Sequence, residues 1–214
     1  GKHYVFYHSD QDCLPENFAN IPYCSFHDDS IIIPAPPLQN LNYLRNNHNK
    51  RNILGSFKGT INRVAQDGVD HRCKVLKKIK NYNSDIIIEN TKTTTHNYVD
   101  LLKDSIFGLV VEGDLPWSYR LCEVINSGAI PIIIKSNIKD SSGKACNHLP
   151  FNNFLDYSDF SIVINTASIE DFFLDKIRNI KKEEIARLRN NLHKVNDIVF
   201  KDVKTHINLL LKMI

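Results

Sequence analysis

Arg120 and Glu123 are the pair in this sequence whose types and spacing best suit binding chemistry. A guanidinium presents a planar fork to phosphate oxygens. A carboxylate three residues further on can accept hydrogen bonds from sugar hydroxyls. The pair follows Glu112, Gly113, Asp114, Leu115 and Pro116, which separate an apolar run from a helical pattern. Gly113 allows tight backbone geometry, Pro116 favours a helix start, and Ser118 places a hydroxyl in the first turn. Exposed N–H groups and the macrodipole at such a start favour an anion. At about 100° per residue, Arg120, Glu123 and Ser127 fall within about 60° on one face, and Leu121, Val124 and Ile125 fall on another. The same spacing describes an ordinary solvent-facing i,i+3 ion pair. An anion site alone also does not separate a nucleotide sugar from other nucleotides.

Two further groups of residues suit chemistry. Lys58, Arg63 and Arg72 lie on a stretch that also holds Gly59 and Gly68, as expected of a loop that closes over phosphates. Asp10, followed by Gln11 and Asp12, ends an apolar segment, with His8 just before it. A carboxylate there can act as a general base, His8 can do so near neutral pH, and an Asp also favours turns. Asp10 and Asp12 together spell a D-x-D, which in metal-dependent transferases of GT-A type holds a divalent ion. No second carboxylate or His cluster accompanies them, and the scattered histidines lack metal-ligand spacing.

These residues need elements to position them. Strand patterns fall at 4–7, 31–33, 52–57, 85–89, 106–111, 130–134 and 160–164. Helical patterns fall at 71–80, 97–105 and 117–127, with two or three helices from 169 onward. Short apolar strands alternating with helices predict an α/β fold with a parallel sheet. Their continuous apolar character predicts helices on both faces. The Asn-rich, charged stretch 40–52 reads as a linker or a helix and loop, and as the domain boundary.

The 214 residues are 42% apolar and 24% charged, as in a globular chain. A net charge of +3 is too balanced for a nucleic-acid partner. The five cysteines read as small buried hydrophobes, with Cys13 and Cys24 the nearest pair for a disulfide. No signal segment and no apolar run of spanning length is visible. The expectation is a soluble cytoplasmic chain, or a Golgi lumenal one whose anchor has been removed.

The run from Ser105 to Ile133 resembles the exostosin family of glycosyltransferases. That family shows a Ser, an apolar strand, a Gly-containing loop and then S-x-R-x-x-E-A-x-x-x-G-x-x-P-V. Ser118, Arg120, Glu123, Gly128 and Pro131 fall in its register. Leu54 to Gly59 resembles its L-x-x-F-x-G segment, with Arg63 and Arg72 following as its basic residues. The stretches 149–151, 155–157 and 160–163 resemble its L-P-F, L-D-W and F-S-V segments. Upstream, His3, Tyr4 and Asp10 resemble its D-H-F and H-D-W strand end, and 29–34, with one residue more between Asp29 and Pro34, its D-x-x-x-P strand. Lys2, Gln11 and Val124 depart from the pattern, standing where the family has Asp, Trp and Ala.

The resemblance implies a GT-B architecture, with two Rossmann-like domains facing a cleft. On that footing, 1–45 is a reduced or truncated remnant of the acceptor-side domain, 46–195 the donor domain, and 196–214 a C-terminal helix crossing back. It implies an inverting transfer from a UDP-sugar to a hydroxyl of a glycan acceptor, without a metal or other cofactor. Asp10 is then the base, facing the cleft. Lys58, Arg63, Arg72, Gly113, Asp114, Ser118, Arg120 and Glu123 bind the donor. A non-catalytic module that binds nucleotide sugar or glycan, or that partners an active relative as an oligomer, is the alternative.

Overall fold

The computed structural model describes residues 50–61, 71–92, 95–111, 119–135, 149–152 and 154–201, with 204, 205 and 208. The expected strands 4–7 and 31–33 lie outside these residues, as do the thiols of Cys13, Cys24 and Cys146. Five parallel strands form the sheet: β1 (Ile53–Gly59), β2 (Ile86–Asn90), β3 (Ser105–Val111), β4 (Ile130–Lys135) and β5 (Ile162–Asn165). Their order is β2-β1-β3-β4-β5. Three helices alternate with them: α1 (His71–Tyr82), α2 (Tyr98–Asp104) and α3 (Tyr119–Asn126). Each of these elements matches its sequence expectation to within three residues, counting only described ones. Strand β5 begins at Ile162 and not at 160 because Phe160 instead closes the 3₁₀ turn Tyr157–Asp159 and is buried.

Residues of alternate parity on each strand serve opposite faces. Phe107, Leu109, Val111, Ile130, Ile132 and Ile134 pack beneath Val75, Leu76 and Ile79 of α1. The same layer receives Phe172, Phe173 and Ile177 from a helical run made of α4 (Ile169–Asp171), the π segment Phe172–Lys176 and the 3₁₀ turn Ile177–Asn179. Val110 and Ile133 face the other way, under Leu121, Val124 and Ile125 of α3 and Leu192 of α5 (Lys182–Val195). Val199 and Phe200, in the π segment Asn196–Phe200, complete that second layer. Each fully buried Leu, Ile or Phe contributes about 1.5–3 kcal/mol of transfer free energy, so this two-sided burial is what holds the sheet central. Gly108 lets α3 approach β3 closely: a Cβ there would lie 2.5 Å from Val124 Cγ1.

The amino edge of the sheet is pinned by Arg51. Its Nη1 donates to the carbonyls of Leu102 and Ser105 at 2.8 and 2.7 Å, and its Nη2 to that of Ser127 at 2.7 Å. These carbonyls lie at the ends of α2 and α3, where the helical ladder runs out and acceptor capacity is left over; that of Leu102 also accepts from the Ser105 N–H. Burial, then the neighbouring Arg189 charge, lowers the Arg51 pKa to about 10, with Asp104 opposing. Gly128 ends α3 at φ +73°, a conformation that favours glycine. Cys73 and Cys122 are both buried thiols, as expected of small hydrophobes. Among the described residues no helix is long and apolar enough to cross a membrane.

Candidate active site

In a doubly wound sheet the ligand crevice opens at the carboxyl ends of the strands, where the order reverses. Here the chain leaves β1 toward β2 on one side, and β3 toward β4 on the other. That rule puts the expected binding position between the ends of β1 and β3. Gly59 ends β1, and Arg120, in the first described turn of α3, reaches it. A side chain on Gly59 would collide with Arg120 Nη2. The Arg120 guanidinium carbon lies 4.3 Å from the centroid of Phe57 and 5.6 Å from that of Tyr98. Stacking on two rings holds the planar fork in place.

Arg120 and Glu123 are not ion-paired with each other. Each instead meets Tyr98. The Tyr98 hydroxyl donates to Glu123 Oε2 at 2.5 Å, and Arg120 Nη1 donates to the same hydroxyl oxygen at a longer 3.4 Å. Among the described residues, Nε and Nη2 of Arg120 and Oε1 of Glu123 have no hydrogen-bond partner. Burial holds the Tyr98 phenol well above its ordinary pKa; the Arg120 charge pulls it down, and Glu123 pushes it up by charge and hydrogen bond. Tyr98 is thus a protonated donor throughout the physiological range.

The second cluster is built on strand register. Lys58 of β1 and Glu89 of β2 are direct partners in the parallel ladder. Lys58 Nζ donates to Glu89 Oε2 at 3.1 Å and to the His96 carbonyl at 2.5 Å. His96 Nδ1 lies 2.5 Å from Glu89 Oε1. Burial opposes ionisation of Glu89, but the hydrogen bonds and charges of His96 and Lys58 prevail, so its pKa falls below the ordinary carboxylate value. Arg72 Nη1 donates to the Thr60 carbonyl at 3.2 Å, which brings the start of α1 against the end of β1.

Of the residues singled out from sequence, the structure gathers Lys58, Arg72, Arg120 and Glu123 around the ends of β1 and β3. Arg63, Gly113, Asp114 and Ser118 lie outside the described residues, as do Asp10, Asp12 and His8. Ser127 does not join this group. It lies just past the end of α3, is buried, donates to the Val124 carbonyl and accepts from Ala129 N. Its wheel angle matches that of Arg120, but two turns of rise carry it to the opposite edge of the sheet. Sequence reasoning missed Tyr98, Glu89 and His96. A charged residue closing the apolar run 86–88 was the available signal for Glu89. Nothing local marked Tyr98, which meets α3 only through the fold. Among the described residues no group of three or more His, Cys, Asp or Glu side chains is arranged to hold a metal ion.

A parallel α/β sheet thus carries a ring-stacked arginine and a buried carboxylate at its switch point. The Exostosin GT47 domain matches residues 13–180, and the chain belongs to that family of glycosyltransferases. It is 26% identical over 180 residues to the probable beta-1,4-xylosyltransferase IRX10L of Arabidopsis thaliana, covering 81% of this chain and 41% of that protein. It is 29% identical over 150 residues to the probable arabinosyltransferase ARAD1 of the same plant, covering 68% and 31%. A probable glucuronosyltransferase of Oryza sativa subsp. japonica, Os01g0926600, is 28% identical over 130 residues, covering 58% and 31%. The chain thus spans well under half the length of these relatives.

Proposed function

We propose that this chain supplies the donor half of a glycosyltransferase of GT-B type, which moves a sugar from a UDP-sugar to a glycan hydroxyl with inversion and without a metal. The observation that carries the reading is the Arg120 guanidinium, stacked on Phe57 over Gly59 at the switch point. It supports Arg120 as the fixed cation that binds the diphosphate and stabilises it as it leaves. Arg72 stands near enough to the end of β1 to assist, with Arg63 as a further candidate from the sequence. Lys58, tied to Glu89 and the His96 carbonyl, acts on this reading by holding the crevice wall. Glu123 accepts from the ribose through Oε1. Gly113, Asp114 and Ser118 are assigned to the loop and helix start that meet the phosphates.

The reaction needs one base to take the proton of the acceptor hydroxyl as that oxygen attacks the anomeric carbon. Asp10 is proposed for this role, with Asp12 and then His8 as alternates. The relatives' names point to xylosyl, arabinosyl or glucuronosyl transfer as the donor sugars to try first. The test is transfer from each UDP-sugar to oligosaccharide acceptors, with EDTA present and absent, for the parent and Asp10→Asn. Turnover that survives EDTA and collapses in Asp10→Asn, with UDP affinity kept, supports the reading. Turnover lost to EDTA would instead support the D-x-D reading of Asp10 and Asp12. UDP binding without transfer to any acceptor would support a binding module.

A further inference from the structure

Arg120 and Glu123 stand three residues apart on one helix, a spacing at which opposite charges normally pair. Both touch the same oxygen atom, that of Tyr98, and yet form no ion pair with each other. Arg120 can only donate. The single hydroxyl proton of Tyr98 therefore goes to Glu123, and its oxygen lone pairs face Arg120. The relay has one polarity, from guanidinium to phenol to carboxylate. Tyr98 is anchored for this task, because its ring packs against the cluster that includes Leu121, Val124 and Ile125.

We propose that Tyr98 is a positioning residue that acts as a spacer: its hydroxyl keeps Arg120 and Glu123 from neutralising each other, so that one stays available to the diphosphate and the other to the ribose. The inference rests on the donor-binding reading of these two residues. Without the hydroxyl, the carboxylate loses its donor and the guanidinium its acceptor. Each then lacks that partner, and a group of opposite charge lies three residues away on the same helix. The site then closes on itself as an internal ion pair, and an incoming diphosphate must break that pair to bind.

Pyrophosphate isolates the phosphate half of the site and is the probe. Its affinity, and that of UDP, is measured by calorimetry for the parent, Arg120→Ala, Tyr98→Phe and the double variant Tyr98→Phe/Glu123→Gln. The phenyl ring keeps the packing of Tyr98; Tyr98→Met fills similar space if the Phe variant does not fold. Tyr98→Phe is expected to weaken pyrophosphate by about tenfold or more, the scale of losing one charge-assisted hydrogen bond. The double variant is expected to recover most of that loss, because a neutral amide no longer traps Arg120. A purely structural role for Tyr98 would not be rescued by altering Glu123. Unchanged affinity in Tyr98→Phe, or a loss that the double variant does not recover, overturns the spacer role. If the parent binds neither pyrophosphate nor UDP, the donor-site reading itself fails, and the spacer inference with it.

Discussion

The guanidinium of Arg120 occupies the space that a side chain on Gly59 would need, and so joins the end of β1 to the start of α3 across the switch point of the sheet. Gly59→Ala should therefore displace the fork without unfolding the domain, because the obstructing atoms are the tip of a flexible side chain. The expected outcome is a melting temperature close to the parent's and a UDP affinity reduced by about tenfold, or about 1.4 kcal/mol. Calorimetry with a thermal melt checks both halves.

Glu89 gives a pH dependence with a definite sign. Its pKa is lower in the folded chain than the ordinary value, because the bonds from His96 and Lys58 outweigh its burial. Its contribution is thus fully present above the unfolded value of about 4.3 and is lost as pH falls through the folded value. Glu89→Gln should cost about 1–3 kcal/mol at pH 7. Urea unfolding at stepped pH should show the gap between parent and variant narrowing once pH drops below about 4.

The elements were legible in the sequence because most of their signals are local. Ile86, Ile87 and Ile88, or the run 106–111, are apolar enough to declare buried parallel strands without any partner. The placement of Arg120 and Glu123 on one helix was legible for the same reason, since a separation of three residues on a helix fixes a face. The partners of those residues were not. Lys58 reads from the sequence as a phosphate-binding cation, and its pairing with Glu89 emerges only once β2 is placed beside β1 in a register that sets the two directly opposite. Tyr98 precedes Arg120 by 22 positions and reaches it only because α2 and α3 cover one face of the sheet. Long-range register and helix placement supply these contacts, and neither leaves a mark in residue spacing.

The close approach of α3 to β3 predicts a coupled pair. Gly108→Ala inserts a methyl within van der Waals overlap of both Val124 methyls. Overpacking of this kind should cost about 1–3 kcal/mol. In Gly108→Ala/Val124→Ala the new methyl fills space that Val124 vacates. The double variant should then be more stable than the sum of the single losses predicts. Strict additivity in denaturant melts would contradict the close packing of these two elements. Because α3 carries Arg120 and Glu123, Gly108→Ala should also weaken UDP binding, and the double variant should recover it.

The most direct measurement is a calorimetric titration of UDP into the parent and Arg120→Ala, with EDTA in the cell. Saturable binding is predicted for the parent. Arg120→Ala should lose about 1.5–3 kcal/mol, the worth of a hydrogen bond to a charged group, while keeping the parent's melting temperature. No UDP binding by the parent, or the same affinity in both proteins, would contradict a donor site built on Arg120 at the switch point.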